Sequence, residues 1–258
     1  MEIAKLHRGT LPLLVSLPHD GSHIPAELAA RMAPEARRAP DTDWHVSRLY
    51  AFAKDMGASV LVPSHSRYVV DLNRPPDDVS LYPGQNTTGL CPAVRFSGEA
   101  VYLEGQQPSH DEIEARVERY WRPYHDLLAE ELARLRAAHG RVLLWEGHSI
   151  RAECPFLFEG VLPDLNIGTS SGASCAPELQ ARLETALWAQ QQYTWVANGR
   201  FKGGYITRHY GKPAEGVDAV QLELAQKNYM DEDSFAYDEA RADRLQPTLR
   251  ALIDAALS

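Results

Sequence analysis

Short runs of apolar residues recur along the chain, and each has the length of a buried β-strand. Several runs are rich in β-branched residues, and the first stops at Pro18, a residue poorly suited to the interior of a strand. The pattern predicts strands over residues 13–17, 59–62, 68–72, 141–145, 194–197 and 217–224.

Longer segments with apolar residues at helical spacing separate these runs. One stops at Gly57, a common helix C-cap, and another opens with Ser109 and Glu112, which form a capping box. Pro123 lies inside this second helix and predicts a bend there. The pattern predicts helices over residues 44–56, 109–139, 176–192 and 237–257.

Strands that alternate with helices are typical of an α/β fold. Because parallel neighbours need crossover connections, the alternation predicts a mostly parallel, twisted, mixed sheet with helices on both faces. Residues 75–108 contain many glycines and prolines and form a long irregular segment, of the kind that often carries function. No internal repeat or linker divides the chain, so we expect a single domain over residues 1–258.

The composition is that of an ordinary globular protein, with 44% hydrophobic and 24% charged residues. The 35 acidic and 26 basic residues give a formal net charge of −9. A broadly acidic surface repels phosphate backbones, so nucleic acid is not expected as a partner. A small anionic substrate is still compatible with this charge, because arginines act on it at short range.

Targeting signals and disulfide patterns are missing from the sequence. Residues 1–5 contain no apolar run of signal-peptide length, and no stretch reaches about 18 apolar residues. Cys91, Cys154 and Cys175 are widely spaced and odd in number, which suits a reducing compartment better than a disulfide framework. We expect a cytoplasmic protein that does not contact membranes. The sequence does not indicate its oligomeric state.

Polar side chains collect where the predicted strands end. In open parallel sheets, ligands bind just beyond the carboxyl ends of the strands. The side chains at these ends are those of His19, Asn73, Arg74, His148 and Glu223. Glu223 is unusual, because a carboxylate in an apolar strand has to be exposed at an edge, paired or functional. Histidines and carboxylates together favour a catalytic zinc site, in which three protein ligands leave one position for water.

Several of these residues also have a structural explanation. His19 alone is typical of a turn, Asp43 of a helix N-cap and His148 of a hydrogen-bonded core residue. Asp71 and Arg74 could form an ion pair. The convergence of several strand ends on one edge of the sheet favours a functional site over these separate explanations.

Six segments carry motifs in a fixed order: residues 15–21, 41–45, 66–74, 147–149, 202–211 and 221–224. The string Asp-Leu-Asn-Arg at residues 71–74 and the string Gln-Leu-Glu at residues 221–223 are the most specific of them. Together the segments resemble the N-formylglutamate amidohydrolase (deformylase) family, which is related to the zinc carboxypeptidases and aspartoacylase. The resemblance implies a phosphorylase/hydrolase-like α/β fold of the zinc-carboxypeptidase type.

The resemblance implies one divalent metal ion held by His19, Asp43 and His148. Relatives use a Glu three residues after the first His, whereas the gap here is longer, and Asp41 and His45 are alternatives to Asp43. Zinc is the expected ion, although histidine and carboxylate ligands also accept manganese, cobalt or iron.

The resemblance also implies roles for the other residues. Glu223 matches the general base, and Arg67 the residue that stabilises the oxyanion. Asn73 and Arg74 match the pair that would bind one substrate carboxylate, and Arg208 and His209 lie in the segment that would bind the second. Glu146 departs from the family pattern, in which this position is mostly Asp, and its expected role is to orient His148.

The implied reaction is the hydrolysis of N-formyl-L-glutamate to L-glutamate and formate, the last step of a histidine degradation route. The main alternative is the same machinery acting on another N-acyl amino acid or a peptide. A serine hydrolase is disfavoured, because residues 147–151 lack the serine and the final glycine that a nucleophile elbow needs. A non-catalytic module that binds an acidic metabolite would need Asn73 and Arg74 but neither histidine nor Glu223.

Overall fold

Seven strands form one mixed sheet in the computed structural model, which describes residues 2–258. The sheet order is β1-β3-β2-β4-β7-β5-β6, with antiparallel pairing between β1 and β3 and between β5 and β7 and parallel pairing elsewhere. The strands are β1 Ala4–His7, β2 Leu13–Ser16, β3 Ser59–Pro63, β4 Val142–Ile150, β5 Leu165–Gly168, β6 Trp195–Ala197 and β7 Val217–Ala225. The predicted mixed α/β sheet is confirmed.

Two strand predictions need correction, and two strands were not predicted. Residues 68–72 were predicted as a strand but form turns, because this buried apolar run packs under the sheet without pairing to it. The strand predicted to end at Trp145 continues to Ile150, because it stays paired with β7 over its whole length. Its last residues are mostly polar, so the apolar pattern stops before the strand does. The sequence pattern missed β1 and β5, which are only four residues long.

The helices cover both faces of the sheet. The helix predicted over residues 44–56 is broken into two short helices, and the helix that opens at Ser109 contains a π-helical turn, Val117–Trp121, just before Pro123. That turn takes the place of the predicted bend, since proline cannot continue the regular hydrogen-bond ladder. The helices are α1 Ala26–Ala29, α2 Val46–Leu49, α3 Phe52–Met56, α4 His110–Arg116, α5 Arg122–His139, α6 Pro177–Ala189, α7 Tyr205–Tyr210 and α8 Glu239–Leu257.

Two hydrophobic clusters lie on opposite sides of the sheet. Successive strand residues point to opposite faces, so Leu13 and Val15 join the cluster of α6 and α8, whereas Leu14 joins that of α5. Burial on both faces explains why the strands appear in the sequence as continuous apolar runs. None of the helices described within residues 2–258 is both long and apolar enough to span a membrane.

We expect Leu249→Ala to lower the free energy of unfolding by about 2–5 kcal/mol, because the truncation leaves a cavity in the fully buried face of α8. Urea denaturation measures this change. The control is Arg250→Ala, which alters an exposed residue of the same helix and should shift stability by less than about 0.5 kcal/mol. Equal effects of the two substitutions would contradict the packing of α8 against the sheet.

Candidate active site

One face of β4 and β7 changes from apolar to polar toward the carboxyl ends of the two strands. In the parallel register, Leu144 lies opposite Ala219, Glu146 opposite Gln221 and His148 opposite Glu223. The alternation of strand residues places all six on the same face, and all are buried. The pairing of two central strands therefore brings a histidine and two carboxylates together.

A buried group of potential metal ligands lies at this edge of the sheet. It consists of His19, which follows β2, Asp43, which precedes α2, and His148 in β4, and their ligand atoms all lie within 4.8 Å of one another. The Oδ2 of Asp43 is 3.8 Å from Nδ1 of His19 and 3.0 Å from Nδ1 of His148. Both imidazoles thus face Asp43 through the same nitrogen.

Two buried carboxylates hold the other nitrogen of each imidazole. The Nε2 of His19 donates to Oδ1 of Asp71, and the Nε2 of His148 donates to Oε1 of Glu146, each over 2.7 Å. A carboxylate at the far nitrogen orients a ligand histidine and directs its other nitrogen at the metal. Glu146 lies where the sequence analysis expects the partner of His148.

Asp71 is a residue of the site that the sequence analysis does not include. The sequence suggests only an ion pair with Arg74 for this residue. In the structure, its Oδ2 accepts a hydrogen bond from Nη2 of Arg67 over 2.7 Å, and its Oδ1 accepts one from Nε2 of His19. Although burial opposes ionisation, His19 and Arg67 hold the pKa of Asp71 well below its usual range. The sequence does hold one signal for Asp71: it is a carboxylate within an otherwise apolar run, as Glu223 is.

The group of His19, Asp43 and His148 fits a divalent cation. The Oδ1 of Asp43 is buried and has no hydrogen-bond partner among the described residues, and such an orphaned oxygen is costly unless a ligand satisfies it. Two histidines and one carboxylate are a donor set typical of catalytic zinc. Asp41 and His45 point elsewhere, because Asp41 accepts a hydrogen bond from the backbone of Phe96 and His45 donates to the carbonyl of Phe235.

Glu223 and three arginines line the same pocket. Burial raises the pKa of Glu223, and the nearby carboxylates of Asp43 and Glu146 add to the rise while His148 and Arg67 oppose it. A carboxyl group with a raised pKa is suited to accept and return a proton near neutral pH. The arginines are Arg67, Arg74 and Arg200.

Arg67 and Asn73 are held close to the ligand group. The guanidinium of Arg67 lies over the ring of Phe96, 4.6 Å from its centroid, and its Nη1 is 4.0 Å from Oδ1 of Asp43. The Nδ2 of Asn73 is 3.1 Å from Nε2 of His148. A Cβ on Gly204 would lie 2.3 Å from Nδ2 of Asn73, so this approach requires glycine.

The long irregular segment predicted over residues 75–108 forms one wall of the pocket. It contributes Tyr82, Phe96 and residues 86–88. The carbonyl of Thr88 accepts a hydrogen bond of 2.8 Å from Nε of Arg74 and so anchors that arginine at the pocket wall.

Comparisons with known proteins show which family the chain belongs to. The family model described as N-formylglutamate amidohydrolase matches residues 11–230. The chain is 51% identical over its full length to an N-formylglutamate deformylase of Pseudomonas aeruginosa and 50% identical to one of Pseudomonas putida, and it covers 97% and 96% of those proteins. The chain belongs to the N-formylglutamate amidohydrolase family.

A solved structure of an N-formylglutamate amidohydrolase from Ralstonia eutropha JMP134 has the same fold. It superposes with a TM-score of 0.84 at 25% sequence identity, and the alignment covers 99% of this chain and 98% of the other. The mixed α/β fold expected from the sequence is therefore shared with a family member of known structure.

In the present chain, the structure does not bring Arg208 and His209 into the pocket. Nε of Arg208 donates to the carbonyl of Gly203, and its guanidinium lies 4.8 Å from the ring centroid of Tyr82. His209 is exposed on α7, its ring stacked on that of Tyr205. The basic residue of this glycine-rich stretch that does line the pocket is Arg200, which the sequence analysis does not include.

We expect Asp71→Asn to weaken zinc binding about 10–100-fold, because an amide cannot replace the carboxylate that holds both His19 and Arg67. Competition with a chelating indicator measures the affinity of the purified protein. Asp77→Asn, an exposed change six positions away in the chain, is the control and should leave the affinity as it is. Unchanged zinc binding by Asp71→Asn would show that the imidazole of His19 needs no such support.

Proposed function

We propose that this protein hydrolyses N-formyl-L-glutamate to L-glutamate and formate, with one zinc ion as its cofactor. One observation carries the proposal: a single pocket contains a His-Asp-His group, a buried glutamate and three arginines. Family membership supports the substrate, since the Pseudomonas relatives at 51% and 50% identity are N-formylglutamate deformylases. The small dianionic substrate is the partner we propose, and residues 1–258 are proposed to form one amidohydrolase domain.

His19, Asp43 and His148 would hold the metal. When bound, a zinc ion supplies Lewis acidity, which lowers the pKa of water to about 7 and polarises an amide carbonyl. Asp71 and Glu146 contribute by keeping Nδ1 of each histidine directed at the shared position.

Glu223 would move the proton. It accepts a proton from the attacking water as the water oxygen bonds to the formyl carbon, and it then donates that proton to the nitrogen as the C–N bond breaks. Its place opposite His148 in the paired strands supports this role, because it faces the ligand group from the neighbouring strand. The products are formate and the free amino group of glutamate.

Arg67 and the pair Asn73–Arg74 would bind the negative charges of the reacting molecule. Arg67 is buried, fixed by Asp71 and close to Asp43, so its free N–H groups are preorganised to stabilise the developing oxyanion. Arg74 and Asn73 would bind one substrate carboxylate, for which the guanidinium fork is suited.

The cellular setting is part of the proposal. We place the reaction in the cytoplasm as the last step of a histidine degradation route, which produces glutamate. The three cysteines are all free, which suits a reducing compartment.

We expect the purified protein to contain about one zinc ion per chain and to release formate from N-formyl-L-glutamate, because the three metal ligands form one site. Metal analysis paired with a formate assay tests both points. A chelator should abolish formate release, and added zinc should restore it. Formate release that persists after complete metal removal would refute the metal-dependent mechanism, and faster hydrolysis of N-acetylglutamate or N-formylaspartate would refute the proposed substrate.

We expect Glu223→Gln to lower kcat by about 10²–10⁴-fold while the zinc content stays unchanged, because the amide cannot accept a proton and Glu223 is not one of the three metal ligands. Glu159→Gln, which changes an exposed glutamate, serves as the control. A variant at position 223 with normal turnover would remove this residue from the mechanism.

A further inference from the structure

Two of the three pocket arginines have no carboxylate partner. Arg67 is paired with Asp71, whereas Arg74 and Arg200 form no salt bridge with any residue in the described part of the chain. Both are only partly exposed. A partly buried guanidinium without a counter-charge is costly, so its persistence points to an anionic ligand.

Backbone carbonyls fix Arg200 without neutralising it. Its Nε donates to the carbonyl of Leu157 and its Nη2 to the carbonyl of Asn86, each over 3.0 Å. Its Nη1 has no hydrogen-bond partner within residues 2–258. Two neighbouring loops thus orient the guanidinium and leave one of its ends free for a ligand.

Arg74 is held in the same manner. Its Nε donates to the carbonyl of Thr88, and no protein acceptor contacts its two Nη atoms within the described residues. The two guanidiniums interact: burial lowers the pKa of Arg200 and the positive charge of Arg74 lowers it further, while Tyr82 and Glu223 oppose this shift. A ligand with two negative groups would relieve this repulsion at both ends.

The ring of Tyr82 contacts both Arg200 and Arg208. The guanidiniums of Arg200 and Arg208 lie 5.5 Å and 4.8 Å from the centroid of its ring. Its hydroxyl donates to the carbonyl of Gly203, which also accepts a hydrogen bond from Arg208. Arg208 therefore supports Tyr82, and Arg200 is the cation on the pocket side.

We propose that Arg200 binds the second carboxylate of a dicarboxylate substrate, while Arg74 binds the first, and that Arg208 is a positioning residue acting through Tyr82. The assignment rests on the proposed function in one respect, namely that the dicarboxylate is N-formyl-L-glutamate. It makes Arg200 the residue that selects a second negative charge.

The decisive experiment compares Arg200→Gln with the unaltered enzyme on three substrates. These are N-formylglutamate and the two analogues in which either the α-carboxylate or the side-chain carboxylate is replaced by an amide. We expect the unaltered enzyme to prefer the dicarboxylate over each analogue by on the order of 100-fold in kcat/KM. Arg200→Gln should lose the preference against one analogue, chiefly through KM, and keep the preference against the other, whereas Arg74→Gln should show the reverse.

The ratio of kcat/KM values within one preparation does not depend on the fraction of active protein, so partial misfolding cannot produce the result. Arg241→Gln is the matched control, because Arg241 also donates to two backbone carbonyls but lies outside the pocket. An Arg200→Gln variant that keeps both preferences, or loses both equally, would overturn the proposal.

Binding of glutarate separates this proposal from the proposed function, because glutarate has two carboxylates and no formyl group. By calorimetry, the unaltered protein should bind glutarate at least about 10-fold more tightly than butyrate, and Arg200→Gln should bind the two alike. Loss of this difference would support the role of Arg200 even if N-formylglutamate were not hydrolysed. If Arg200→Gln kept the full difference in affinity between glutarate and butyrate, the role of Arg200 would be refuted whatever the substrate.

Discussion

Two buried hydrogen bonds from imidazole to carboxylate determine the geometry of the whole site. Asp71 holds His19 and Glu146 holds His148 through the far nitrogen, so both rings present Nδ1 to Asp43. Buried charges are stable only when paired, and here Arg67 completes the pairing of Asp71. The position of a metal ion, the direction of the proton acceptor and the placement of Arg67 all depend on these two contacts.

The parallel register of β4 and β7 supplies the second constraint. Side chains alternate between the faces of a sheet, so a slip of one residue would turn His148 or Glu223 into the opposite hydrophobic cluster. Both faces of these strands are buried, so the slip would place an ionisable side chain among apolar ones at a high cost in desolvation. This cost fixes which polar groups meet within the pocket.

The pocket has a local charge opposite to that of the protein. The chain carries a formal net charge of −9, yet Arg67, Arg74 and Arg200 converge on one cavity. Screening in salt solution limits the reach of surface charges to about 10 Å, so nearby guanidiniums outweigh the distant acidic residues for a ligand in the pocket. This contrast explains how an acidic protein can receive a dianion.

The sequence by itself determined which segments are buried and which strand ends carry polar groups, because periodicity and composition are local properties. His19, His148 and Glu223 could be assigned to one edge of the sheet on that basis. Only the tertiary structure decided that residues 68–72 find no strand partner, that Asp71 supports His19, and that Arg200 rather than Arg208 reaches the pocket. These outcomes depend on strand order and on the paths of loops, which arise from contacts between residues far apart in the chain.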